Sequence, residues 1–201
     1  PGMAHWQHPG WYAFFPSGAS PVSALGEFVA AGLATQGMMW STAPAATEIE
    51  NTVLDWLVDL LGLPSSWRLD EGPGGGVIQM SASDSTHLSL AVARHQFELS
   101  GADANSLVAY GSSQAHSSIE KGARVAGFKH IRSVPVTQTF GIDADAFAKI
   151  VRDDIDSGLI PAWVCSAVGT TNTTAMDPIR AIAAIASENG MWHHADAAYA
   201  G

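Results

Sequence analysis

Residues 158–201 read GLIPAWVCSAVGTTNTTAMDPIRAIAAIASENGMWHHADAAYAG. The apolar run Trp163–Val168 reads as a buried strand, and it ends in a turn of small hydroxylated residues, Gly169 to Thr174. Asp177-Pro178 then opens a helix, with Asp at the cap and Pro at the first helical position. Ile179, Ile182, Ala183 and Ile185 face one side, Gly190 closes the helix, and Met191–Ala195 is a second apolar run. Strand, helix and strand in this order make a βαβ unit, which implies parallel strands joined by a right-handed crossover.

The same grammar continues toward the N-terminus. Asp143–Ile155 reads as a helix with Phe147, Ile150 and Val151 on one face, capped by Asp143 and followed by Gly158. Ile131–Val136 is a strand, Ser117–Val125 a helix ending at Gly127, and Leu107–Tyr110 a strand. Ser83–Leu99 is a helix ending before Gly101, and Val77–Met80 is a short strand after three glycines. Strands spaced by amphipathic helices predict an α/β fold: a mostly parallel sheet with flanking helices. Further upstream, Thr47–Leu63 has helical periodicity, and Thr47 with Glu50 has capping-box spacing. Residues 1–46 are rich in Pro, Gly and aromatics and read as an irregular lead-in. The chain therefore divides into 1–64, the lead-in with its helices, and 65–201, the sheet-forming part. It opens at Pro1 and closes at Gly201 just after a strand, so it is expected to be incomplete at both ends.

Of the 201 residues, 47% are apolar and 14% charged, which is enough for a sizeable core. Nineteen acidic residues against nine basic ones give a net charge of −10, which argues against a nucleic-acid or anionic-membrane partner. No apolar run is long enough to span a bilayer. The single cysteine, Cys165, excludes a disulfide within the chain and fits a reducing, cytoplasmic compartment.

In parallel sheets ligands gather at the carboxyl ends of the strands. Ser81 to Thr86 lies at such an end and would suit a phosphate, although this segment by itself favours a plain Ser cap. His116 follows the next strand, and Thr171 lies in the turn after Val168, which also reads as an ordinary Thr-rich turn. Asp196 ends the last strand, where a carboxylate needs a cationic ring nitrogen or a metal as partner. Strand alternation points His193 and His194 to opposite faces, so no metal site is assigned.

These clusters in this order resemble the aromatic-L-amino-acid decarboxylase family, the group II pyridoxal-phosphate (PLP) decarboxylases. The stretches that carry the resemblance are HWQHPGWYAFFP at 5–16, TAPAATEIE at 42–50, GGGVIQMSASDST at 74–86, VAYGSSQAHSSIEKG at 108–122, GLIPAWVCSAVGTTNTTAMDP at 158–178 and WHHADAAYAG at 192–201. The resemblance implies an aspartate-aminotransferase-like, PLP fold type I large domain. It implies that Asp196 pairs with the pyridine nitrogen, that His116 stacks on the cofactor ring and helps with proton transfer, and that Ala82 and Ser83 hold the phosphate. Thr171 would approach the ring and Ala198 would pack beneath it. Trp6, Phe14, Phe15 and Ser17 would line the substrate side, with Gln36 and Met38 reaching a neighbouring subunit's pocket.

The implied activity is decarboxylation of an L-amino acid, with an aromatic one expected, to the amine and carbon dioxide. The alternatives are a PLP-dependent aromatic aldehyde synthase or an inactive fragment that binds a cofactor or partner. The lysine to which the family attaches its cofactor has no counterpart at Lys121, Lys129 or Lys149. The chain alone is therefore expected not to turn over, and a homodimer or an assembly with a complementary C-terminal fragment is expected. Phe14 stands where a tyrosine is common in the animal enzymes, and Gln36 leaves room for a more polar substrate.

Overall fold

A computed structural model describes residues 2–14 and 18–201. The chain forms two compact units, Pro1–Ile78 and Gln79–Gly201.

The second unit holds the sheet. Helix α3 (Ala82–Leu99) leads into β1 (Leu107–Ser112), α4 (Ser118–Val125), β2 (His130–Val134), α5 (Ala144–Asp156), β3 (Ile160–Ala167), α6 (Ile179–Glu188) and β4 (Trp192–Asp196). The four strands are parallel in the order β2-β1-β3-β4. Strand β1 is buried along its whole length, as expected of a strand covered on both faces.

Alternation along the strands splits the core into two layers. Leu107 and Ala109 of β1, with Trp163 and Cys165 of β3, pack with Leu90 and Ala93 of α3 and Ile119 and Ala123 of α4. Val108, Tyr110 and Val164 point the other way, onto Phe147 and Val151 of α5 and Ile182 and Ala186 of α6. Ala162 joins the same layer as its neighbour Trp163 because the β1–β3 register shifts between Val108 and Ala109. On the α5 side, Asp154 is buried between Arg132 (Nη2 to Oδ1 2.6 Å) and the Tyr110 hydroxyl, which donates to its Oδ2 at 3.0 Å. The pairing holds the Arg132 guanidinium above its ordinary pKa, and burial beside Asp154 raises the phenol. This network ties β1 and β2 to α5.

The first unit contains α1 (Pro21–Gly32) and α2 (Pro44–Leu60). Helix α1 lies in the stretch read from sequence as irregular. Ser20 and Ser23 form a reciprocal capping box around Pro21. Helix α2 begins three residues before the expected start. Thr47 is inside its first turn and donates to the Ala43 carbonyl, and Glu50 instead accepts the Ile78 amide at 2.8 Å. Acidic residues of α2 hold the following segment, with Asp55 accepting the Leu69 amide and Asp59 pairing with Arg68. For this reason residues 65–78 pack with the first unit.

Two further expectations are corrected. Val77–Met80 is not a strand: it has no pairing partner among the described residues, and Val77, Ile78 and Met80 are exposed. Asp177 does not cap α6; Pro178 occupies that position without a side-chain cap. No helix among the described residues is long and apolar enough to cross a membrane.

Candidate active site

The strand order reverses between β1 and β3. The connection from β1 to β2 runs through α4 on one face, and that from β2 to β3 through α5 on the other. The loops leaving β1 and β3 therefore diverge, and in open parallel sheets such a point at the carboxyl edge is where ligands bind. His116 lies in the first loop and Thr171 in the second. Asp196 ends β4, in register with Ala167 of β3. His116 and Asp196 thus belong to the same edge, the first in the loop after β1 and the second at the end of β4, strands roughly 10 Å apart by two strand spacings.

His116 is exposed and borders a cleft of about 380 Å³ walled by Ser112, Ser117 and Glu120 and by Ile131 and Ser133, on the β2 side of β1 rather than toward Asp196. Its Nδ1 accepts the Ser118 amide at 3.2 Å and lies 2.9 Å from the Ser118 hydroxyl. An acceptor Nδ1 leaves the proton of the neutral ring on Nε2.

The β3 loop is built on hydrogen bonds of its own. Thr170 is buried, with its hydroxyl 2.6 Å from that of Thr173 and accepting the Ala175 amide. Val168 and Met176 form an antiparallel bridge, and Thr174 takes a left-handed φ of 57°, unusual for a β-branched residue. Thr171, the expected site residue, is exposed, and its hydroxyl has no partner among the described residues. Asp177 closes the neck of the loop: its two carboxylate oxygens accept the amides of Ala167 (2.6 Å) and Ile142 (2.8 Å). Burial raises its pKa, and the two amides oppose that shift. Sequence reading missed this role. The available signal was an acid bordering a buried strand and a turn.

At the start of α3, Ser81 is the N-cap, and its hydroxyl accepts the Asp84 amide. The amides of Ala82 and Ser83 have no acceptor among the described residues. Two free amides at the positive end of an 18-residue helix form a cradle for an anion. Asp84 lies one step further in, with Oδ2 bonded to the Ser81 hydroxyl.

Asp196 is half-buried and shares its face of β4 with Trp192 and His194, the α3 side of the sheet. Its Oδ1 accepts the Ala198 amide at 3.2 Å, and no cationic side chain pairs with it among the described residues. A carboxylate placed this way suits a protonated heteroaromatic nitrogen. Together with the anion cradle on the same side of the sheet, it fits a phosphorylated pyridine. Asp196 also adds to the burial that pushes the Cys165 thiol upward, so that thiol is inert. His193 points to the opposite face and meets Ser166 at 2.7 Å, whereas His194 stacks on Trp163. Burial holds both imidazoles below their ordinary pKa. No cluster of three metal-ligating side chains occurs among the described residues.

Gly169 has a φ of 87°, and a Cβ there would collide with the Tyr199 ring. The β3 loop and the segment after β4 therefore touch at a point where only glycine fits.

In the first unit, Trp6 and Phe14 stack on each other and group with Trp11. Gln36 and Met38 are exposed in the α1–α2 connection, where the Gln36 carbonyl accepts the Thr42 hydroxyl. Phe15 and Ser17 lie outside the described residues.

The family model for the pyridoxal-dependent decarboxylase conserved domain matches residues 1–201, and the chain belongs to that family. It is 42% identical to a phenylacetaldehyde synthase of Arabidopsis thaliana and 43% identical to an aromatic-L-amino-acid decarboxylase of Catharanthus roseus. All of this chain is matched in both, but only 42% and 41% of those proteins' lengths. Among solved structures, Rhodiola rosea 4-hydroxyphenylacetaldehyde synthase aligns over 97% of this chain and 43% of its own, with a TM-score of 0.91 and 38% identity. The Oryza sativa enzyme TDC, solved with PLP and tryptamine, aligns with a TM-score of 0.91 and 39% identity, over 97% of this chain and 42% of its own. The fold is that of the PLP fold type I decarboxylases.

Proposed function

We propose that the protein to which this chain contributes decarboxylates an aromatic L-amino acid to its amine and carbon dioxide, using PLP. The observation that carries this reading is the placement, on one side of one sheet edge, of an anion cradle and a carboxylate that have no partner for the amides and no cation for the acid among the described residues. When bound, the cofactor supplies the electron sink for the pair left on the substrate Cα.

We assign the amides of Ala82 and Ser83, with the Ser83 hydroxyl, to the phosphate. Asp196 keeps a proton on the pyridine nitrogen, because a carboxylate beside a ring nitrogen favours its charged form. The Ala198 amide, bonded to Asp196 Oδ1, orients that carboxylate. His116 and Ala198 are assigned to hold the ring, and Thr171 to approach it from the β3 loop. The Nε2 proton of His116 is the one this side chain has to offer. Trp6, Phe14, Phe15, Ser17, Gln36 and Met38 are assigned to the substrate side.

Two parts of this reading concern setting. A homodimer, or assembly with a complementary C-terminal segment, is supported by the exposed apolar residues of α1, Val22, Leu25, Phe28 and Val29. A cytoplasmic location is supported by the lone, buried Cys165.

The test supplies the full natural-length protein with PLP and L-tryptophan, L-tyrosine, L-DOPA or L-phenylalanine. Amine and carbon dioxide in equal amounts are expected. The similarity to phenylacetaldehyde synthase favours one second reading, in which oxygen is consumed and aldehyde, ammonia and hydrogen peroxide accompany the carbon dioxide. Absence of carbon dioxide from every substrate would overturn both.

A further inference from the structure

His194, two residues before Asp196, has no part in the assignments above. Its ring lies 5.5 Å from the Trp163 indole with 23° between the planes. Its Nε2 is 3.4 Å from the Thr86 hydroxyl. Thr86 is buried, and its only hydroxyl proton goes to the Ala82 carbonyl at 3.0 Å. The hydroxyl must therefore accept from the imidazole, which puts the histidine proton on Nε2.

The other face of the contact returns to the same helix. The buried Trp163 Nε1 donates to the Ser89 hydroxyl at 3.2 Å, and that hydroxyl donates to the Thr86 carbonyl at 2.9 Å. His194, Thr86, Ser89 and Trp163 thus form a closed circuit that joins β4, α3 and β3. One end of the circuit terminates on Ala82, whose amide opens the anion cradle. The other end lies on the strand face that carries Asp196.

We propose that His194 is a positioning residue that, through this circuit, fixes the spacing between the anion cradle of α3 and the Asp196 carboxylate. The cofactor role of that spacing rests on the reading given under Proposed function; the mechanical role does not. A ligand that must reach both points, with a phosphate at one end and a protonated ring nitrogen at the other, depends on the spacing. A ligand that uses the ring alone depends on it far less.

The test compares His194→Leu, His194→Gln, Thr86→Val and the Leu/Val double variant in the cofactor-free, full natural-length protein. Binding of PLP and of pyridoxal, which lacks the phosphate, is read by absorbance. Amide hydrogen exchange of the first turn of α3 is read without ligand. We expect His194→Leu to weaken PLP about tenfold, the scale of one lost hydrogen bond. Pyridoxal should weaken by about twofold or less, and exchange at Asp84 and Ser85, whose amides are held by Ser81, should quicken. Thr86→Val should do the same. The double variant should be no worse than either single one, because both break one circuit. His194→Gln retains a donor and should recover most of the loss.

Equal losses for the two ligands, unchanged exchange in both single variants, or losses that multiply in the double variant would each overturn the proposal. If the unmodified protein binds no PLP, the cofactor reading falls, and the exchange measurement alone decides the role of His194. If His194→Leu does not fold, Thr86→Val carries the same comparison.

Discussion

Helices of the same amphipathic kind meet different fates in the two units. In residues 79–201, Leu90, Ile119, Phe147 and Ile182 each bring their helix onto the sheet and are almost fully buried. In the first unit α1 buries no residue, and α2 buries only Val58. Trp56, Leu57 and Leu60 of α2 are exposed although they follow the same periodicity. Periodicity therefore reports that a helix has an apolar face. Only the sheet, a long-range structure, decides whether that face is covered.

The contrast can be broken or sharpened at several places. The largest effect belongs to the site. Asp196→Ala should cut decarboxylation by about 10²–10³-fold, as losing one preorganised charge does elsewhere. Its melting curve should stay near that of the unmodified protein, because Asp196 is half-exposed; a large drop in melting temperature would make it a structural acid. Next is the core: Trp163→Ala should cost about 3–5 kcal/mol in denaturant unfolding, because the indole is fully buried.

A smaller effect comes with pH. The raised pKa of Asp177 means the folded protein holds that proton more tightly than the unfolded chain does. Its contribution is full below the ordinary carboxylate pKa and is lost as pH rises through the raised value. Asp177→Asn should remove that slope, while the mismatched amides cost about 1–3 kcal/mol. His193 and His194 act in the opposite sense. Burial depresses both, so their contribution is full above the ordinary histidine pKa and is lost as pH falls through the lowered values. Unfolding free energies of the unmodified protein, Asp177→Asn and His194→Gln across the acid range separate the two slopes. The smallest effect is expected at Leu60, 80% exposed, where Leu60→Gln should change stability by about 0.5 kcal/mol or less. A loss several times larger in the full-length protein would show that this face is covered there.

Much of the second unit was legible because its signals are local. Apolar runs ended by hydroxylated turns marked β1 and β3, a run ended by Asp196 marked β4, and Asp143 caps α5 as its spacing predicts. The misreadings have physical causes. Val77–Met80 has strand composition, but a strand exists only through its neighbour. Asp177-Pro178 has the signature of a helix start, yet two buried amides thirty-five and ten residues away claimed the carboxylate. Glu50 was likewise claimed by the amide of Ile78 rather than by its own helix start. Of the candidate site, Asp196 and His116 were legible from their positions after strands, and the α3 start from its run of small hydroxylated residues, although no strand precedes it among the described residues. The circuit through His194 was not, because three of its four members look like ordinary core residues until α3 is laid on the sheet.

The fit between Gly169 and Tyr199 has a consequence for how the site tolerates change. Two segments from separate strands share a space sized for a single hydrogen atom, so neither can be enlarged without displacing the other. Gly169→Ala would push the Tyr199 ring and with it the chain that holds the Ala198 amide against Asp196. A methyl group on one strand would then disturb the acid on the next, and mutations in the Thr-rich loop would surface as defects at the carboxylate.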